Sequence, residues 1–282
     1  MDNIQSSGLI MKEYPNLRPI ARKLADYIIE NENDVIHLSI TELAERAGVS
    51  ETTVIRFCRR LGFEGYQDFK IRTAQGIVPQ LSNIHEDLAE TDTSRAVMKK
   101  VFEANMNAIQ ATLGIVDTEA FEKAAQALYK ASRIVFCGEG GSGIVALDAE
   151  HKFIRLGIPT YANIDPYMRL ANATLMKPNE VLLGISHSGS TKSTVEALGL
   201  AQKQGATTIC ITQYQRSPIT KVSDIVLNVF SKEVEYRSEA MGSRIAQLCL
   251  LDSLYVEVAK RLKEKSFDSI KKVREAQVSL RY

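Results

Sequence analysis

The densest concentration of reactive groups in the chain is Ser186-His187-Ser188-Gly189-Ser190-Thr191-Lys192, directly after the apolar run Val181-Leu182-Leu183-Gly184-Ile185. The apolar run reads as a buried strand and the segment after it as the mouth of a helix. The first N–H groups of a helix lack partners within it and carry a partial positive charge, so hydroxyl donors crowded there suit a phosphoryl group. Capping accounts for one or two of Ser186, Ser188, Ser190 and Thr191, but not for all of them. Each hydrogen bond to a charged oxygen contributes about 1.5–3 kcal/mol, so a few such donors reach roughly micromolar affinity after the costs of association. Such a site needs no metal and no cofactor.

A second strand-loop-helix unit, Ile134-Val135-Phe136-Cys137-Gly138-Glu139-Gly140-Gly141-Ser142-Gly143, turns through glycines. Gly138 and Gly140 let backbone N–H groups approach a ligand closely, and Ser142 is presented at the next helix start. Dinucleotide-binding turns are also glycine-rich. Here the spacing departs from G-x-G-x-x-G, and no later strand ends in an obvious ribose-binding carboxylate.

The third constellation is Ile40-Thr-Glu-Leu-Ala-Glu-Arg-Ala-Gly-Val-Ser-Glu-Thr-Thr-Val-Ile-Arg-Phe-Cys-Arg-Arg-Leu-Gly62. Ala44 is small where two crossing helices touch, Gly48 permits a sharp turn, and Ser50 can cap the second helix. Val54, Phe57, Cys58 and Leu61 share the inward face. Glu51, Thr52, Thr53, Arg56, Arg59 and Arg60 take the other, where the N-terminal members can meet base edges and the rest phosphates. Ser50, Thr52, Thr53, Arg56, Arg59 and Arg60 are thus the candidate DNA-binding residues. An ordinary αα-hairpin with a solvated basic face is the alternative, with Arg56 paired to Glu51 or Glu64.

The elements that must position these groups follow from length and periodicity. At 282 residues the chain exceeds one usual compact domain. Helical spacing over Leu17 to about Ala74 predicts a small all-α domain, 1–77. Gly76, Pro79, Ser82, Asn83 and the acidic Glu86, Asp87, Glu90 and Asp92 predict a linker, 78–93. From 94 to 282, helical runs at Ser94–Ser132 lead into strands expected at 133–137, 158–161, 180–186, 206–212 and 225–229, with helices between them and a last long helix at about Met241–Lys263. That alternation predicts a doubly wound parallel five-stranded α/β sheet.

Composition narrows the class. With 45% hydrophobic and 24% charged residues, the chain is neither disordered nor membrane-spanning, and its apolar runs fall far short of the roughly 20 residues a bilayer span needs. Scattered Cys58, Cys137, Cys210 and Cys249 form neither a zinc spacing nor a disulfide framework, which fits a cytoplasmic protein. The N-terminal residues lack the basic and cleavable apolar regions of a secretion signal, so export is not expected. A formal net charge of +1 means that any DNA affinity comes from a local cationic surface.

Continuing from that stretch, the segment Leu61-Gly-Phe-Glu-Gly-Tyr-Gln-Asp-Phe-Lys70 resembles the one that ends the DNA-binding domain of the RpiR family of bacterial regulators. The Ser-His-Ser-Gly-Ser-Thr loop and Gly-Glu-Gly-Gly-Ser turn are similar to those of the sugar isomerase (SIS) domain of phosphosugar isomerases and RpiR-type regulators, a flavodoxin-like fold. Tyr236-Arg-Ser-Glu-Ala-Met-Gly-Ser-Arg-Ile-Ala-Gln-Leu248 resembles the segment that opens that family's last helix. The resemblance implies a phosphate held by Ser142, Ser186, Ser188 and Thr191, with Glu235, Glu239 or Ser243 near the sugar. Gly138, Gly140, His187 and Ser190 complete the candidate effector site. It also implies a homodimer or tetramer whose paired helix-turn-helix units read a partly palindromic double-stranded operator.

An aldose–ketose isomerase needs a base and an acid. Glu139, His187, Glu235 and Glu239 are the candidates, with His187 on a loop that reads as exposed. No Ser-His-Asp order, paired carboxylates or metal-ligand spacing stands behind them, so the hydroxyl cluster is expected to hold a ligand rather than turn it over. A DNA reader joined to a metabolite reader makes a regulator, with an isomerase carrying an accessory domain as the alternative.

Overall fold

A computed structural model describes residues 6–77, 89, 91–231 and 241–280. They form two compact units, one drawn from the chain up to Ala104 and the other from Asn105–Ser231 with Gly242 onward. Most of the expected linker, and Glu235 and Glu239, lie outside the described residues.

In the first unit, helices run α1 Ser6–Glu13, α2 Pro19–Glu30, α3 Glu32–Val35, α4 Ile40–Arg46, α5 Glu51–Arg60 and α6 Tyr66–Ile77. Their core gathers Leu24 and Ile28, four residues apart on α2, Val54 and Phe57, three apart on α5, with Leu43 and Phe69. Helix α4 begins with a capping box: the Ser39 hydroxyl accepts from the Glu42 amide at 3.1 Å, and the Glu42 carboxylate accepts from the Ser39 amide at 2.7 Å. Gly48 turns the chain at φ 65°, a left-handed conformation that side chains resist.

The boundary between the units falls within α7, Ser94–Ile115. Beyond it come α8 Thr118–Lys130, β1 Arg133–Cys137, α9 Gly141–Phe153, β2 Thr160–Asn163, α10 Pro166–Thr174 and β3 Glu180–Ile185. Then follow α11 Lys192–Lys203, β4 Thr207–Thr212, β5 Ile225–Asn228, α12 Gly242–Leu262 and α13 Glu264–Gln277. The strands form one all-parallel sheet in the order β2-β1-β3-β4-β5.

Alternation along β1 explains the layers. Ile134 and Phe136 pack with α8, α9 and α12 residues such as Leu128, Val145 and Leu251, while Val135 and Cys137 pack with Ala173 of α10 and Ala197 and Leu198 of α11. The sheet is covered on both faces, as parallel sheets require. Strand order reverses between β1 and β3, and in such sheets the crevice outside the carboxyl ends at that switch point is where ligands bind.

Two elements differ from expectation. Strand β2 starts at Thr160, two residues later than the periodicity indicates: Gly157 turns the chain at φ 81°, and Pro159, which has no N–H to donate, meets β1 only through its carbonyl, which accepts from the Ile134 amide at 2.9 Å. The long helix expected at about Met241–Lys263 ends as anticipated, and a further helix, α13, follows after Lys263 turns the chain at φ 53°.

Candidate functional site

Both hydroxyl- and glycine-bearing loops leave the sheet at the switch point, one between β1 and α9 and the other between β3 and α11. Ser186 is almost fully buried, with 1% exposed, and its amide extends the ladder by donating to the Ile211 carbonyl at 3.0 Å. Its hydroxyl lies 3.0 Å from that of Thr191. The Ser188 hydroxyl accepts from the Ser190 amide at 3.2 Å, and the Ser190 hydroxyl donates to the Ser188 carbonyl at 3.2 Å. Thr191 stands at the N-cap of α11 yet makes no side-chain capping bond. The hydroxyls therefore bond within their own loop instead of finishing the helix.

Two glycines make this geometry attainable. Gly189 sits at φ 65°, and a Cβ there would fall 2.1 Å from the Ser217 hydroxyl. A Cβ on Gly138 would fall 2.6 Å from the Ser142 carbonyl oxygen, so the β1–α9 turn closes only without a side chain. Gly140 precedes α9 at φ 54° without a side-chain cap, and half-buried Ser142 lies in the first turn.

Ser243 is buried in the first turn of α12. His187 departs from the exposed loop residue expected of it: both ring nitrogens are shielded from solvent, because the loop folds back through bonds from the Gln213 amide, at 3.1 Å, and the Thr212 hydroxyl, at 3.2 Å, to the His187 carbonyl. Glu139, a candidate base, is ion-paired to Arg169 at 2.9 Å and accepts a bond from Ser193.

Sequence reasoning missed Arg169. It is fully buried on α10, whereas arginine ordinarily signals surface. The only sequence hint was Asp165-Pro166, a helix-start pair that places Arg169 one turn in.

Among described residues, no group of three or more His, Cys, Asp or Glu side chains is placed to hold a metal. Burial pushes the thiols of Cys58, Cys137 and Cys210 up to about 12, so they are not thiolates at neutral pH.

On the first unit, Ser50 caps α5, its hydroxyl accepting from the Thr53 amide at 3.2 Å. Glu51 is tied back to Thr41 of α4. Thr52, Arg56, Arg59 and Arg60 are exposed and Thr53 is half-buried, while Val54, Phe57 and Cys58 turn into the core. The basic side chains differ in commitment. Arg60 pairs with Glu13 at 3.2 Å and donates to the Asn16 carbonyl at 2.9 Å, and Arg59 donates to the Glu64 carbonyl at 3.3 Å.

Comparison with known proteins matches residues 4–80 to the helix-turn-helix domain of the rpiR family and residues 127–257 to the SIS domain. A protein of Caldanaerobacter subterraneus named as an HTH-type transcriptional regulator is 42% identical over 254 residues, 90% of each chain. A Thermotoga maritima protein of the same description is 34% identical over 284 residues, spanning 100% of both. The solved Vibrio vulnificus NanR protein complexed with ManNAc-6P superposes with a TM-score of 0.82 at 26% identity, covering 97% of this chain and 99% of that one. With a capped helix-turn-helix in one unit and a doubly wound SIS sheet in the other, the chain belongs to the rpiR family of helix-turn-helix transcriptional regulators.

Proposed function

We propose that this regulator binds an operator in double-stranded DNA through α5 and that a phosphorylated sugar, held at the switch point of the second unit, sets its operator affinity. The observation that carries the effector reading is the loop 186–191, whose hydroxyls leave the start of α11 uncapped. A phosphoryl group supplies the acceptors that the first turn of α11 and these hydroxyls need, without a buried lysine. Ser142, Ser186, Ser188 and Thr191 hold the phosphate, Gly138 and Gly140 bring backbone amides to it, and Ser190 and His187 shape the loop. Ser243, with Glu235 and Glu239, addresses the sugar. The likeness to NanR, solved with ManNAc-6P, supports this ligand class.

The domains proposed are 1–77 for DNA, 78–93 for the linker and 94–282 for the effector. The chain acts as a homo-oligomer whose two-fold symmetry spaces the paired α5 helices. Exposed Met106 and Leu113 on α7 and Ile144 and Leu147 on α9 give the second unit apolar surface for this assembly. A cytoplasmic setting fits a DNA-binding protein, and no described helix is long and apolar enough to cross a membrane.

The reading is a sensor rather than an isomerase, supported by Glu139 being held by Arg169 and by the names of the relatives. A ligand that prefers one arrangement of the oligomer shifts operator affinity by about 5- to 150-fold. Fluorescence anisotropy with operator DNA, titrated with hexose, pentose and amino-sugar phosphates including ManNAc-6P, tests this: one sugar phosphate shifts the DNA curve and none is isomerised. Turnover with sequence-indifferent DNA binding would establish the enzyme instead.

A further inference from the structure

We propose that Arg169 is a positioning residue that locks the two loops of the phosphate cradle to each other, an inference that rests on the phosphate reading above. Its side chain is fully buried, and a guanidinium removed from water is tolerated only when its N–H groups find acceptors. Here they do. Nε donates to the Asn163 carbonyl at 3.1 Å. One terminal nitrogen meets Glu139 Oε1 at 2.9 Å, Ser193 Oγ at 2.6 Å and Thr194 Oγ1 at 3.3 Å. The other donates to the carbonyls of Gly138 at 2.9 Å and Ile164 at 3.0 Å.

These acceptors come from three separate segments: the end of β2 with its following loop, the β1–α9 loop, and the first turn of α11. Glu139 also accepts from Ser193, which closes a ring between the two proposed ligand-bearing loops. The fork is planar and rigid, so it fixes distances among its acceptors in a way a lysine ammonium cannot. Gly138 and Glu139 lead into Ser142, and Ser193 lies two residues beyond Thr191. Separating the loops would strand a buried charge. Arg169 thus ties the β1–α9 loop to the first turn of α11.

The test uses the full chain and inorganic phosphate as probe, followed by 31P line broadening well below the melting temperature, with melting temperatures recorded in parallel. Wild type broadens the phosphate signal saturably. Ser193→Ala, a small change on a half-buried helix turn, is expected to weaken phosphate several-fold with an unchanged melting temperature. Arg169→Lys weakens it about tenfold or more, the equivalent of one charged hydrogen bond misplaced in the cradle, and millimolar guanidinium added to Arg169→Ala restores part of the binding. Operator affinity stays at the wild-type value in all three. If the variants bind phosphate as wild type does, whatever happens to their melting temperatures, Arg169 is merely structural and the proposal is overturned. A wild-type chain that leaves phosphate unbroadened, and shows no shift with sugar phosphates, ends the phosphate reading itself and takes this inference with it.

Discussion

Serine and threonine open both α5 and α11, but to different ends. Ser50 uses its hydroxyl on the Thr53 amide and closes its helix from within. At α11, Thr191 makes no side-chain cap, and Ser186 and Thr191 face each other across 3.0 Å. Helix α5, proposed to meet DNA, is closed by its own side-chain cap, while α11 at the sheet's switch point has no such cap. Residue type at a helix start therefore does not reveal a ligand site; what the hydroxyl already bonds to does.

The largest expected effect comes from removing hydroxyls of the loop 186–191, which bond within the loop and leave α11 uncapped. Ser186→Ala with Ser188→Ala weakens sugar phosphate at least 100-fold by calorimetry, since two charged hydrogen bonds at about 1.5–3 kcal/mol each are lost. Operator binding and melting temperature stay close to wild type. A large fall in stability instead would mean that these hydroxyls serve the fold, as Ser50 does.

Next in size is Gly189→Ala. Left-handed strain and the Ser217 hydroxyl in the path of the new Cβ together cost about 2–4 kcal/mol, read as a lowered denaturation midpoint with loss of phosphate response.

Within α5 the contrast recurs between two arginines. Arg56→Ala is expected to cost about 1–3 kcal/mol of operator affinity. Arg60→Ala costs less, because Arg60 is engaged with Glu13 and the Asn16 carbonyl. Equal losses measured by anisotropy at fixed salt would show that the Glu13 contact gives way on DNA. The smallest effect is Ser50→Ala, about 1 kcal/mol of stability from the lost cap, with sugar-phosphate binding unchanged.

Much of this arrangement was legible where local rules agree with the tertiary fold. Gly48 and Ser50 carry turn and start signals that the structure uses as such. The buried strands read through as apolar runs because both sheet faces are covered. The two loops were visible from their glycines and hydroxyls, but their juxtaposition depends on β1 and β3 being neighbours, a non-local fact. Arg169 was hidden because its acceptors lie on segments up to 31 residues away in sequence. Helix α13 went unread because it offers little apolar patterning, with Ser266 its buried residue. His187 read as exposed because nothing local shows its loop folding back toward Gln213.

The most direct measurement is calorimetry of the wild-type chain with ManNAc-6P and with the same sugar lacking its phosphate. If the mouth of α11 holds a phosphoryl group, the phosphorylated compound or another sugar phosphate of the panel binds with micromolar affinity and its unphosphorylated parent gives no saturable heat. Equal heats from a sugar and its phosphate, or silence from every phosphorylated compound, would contradict the account.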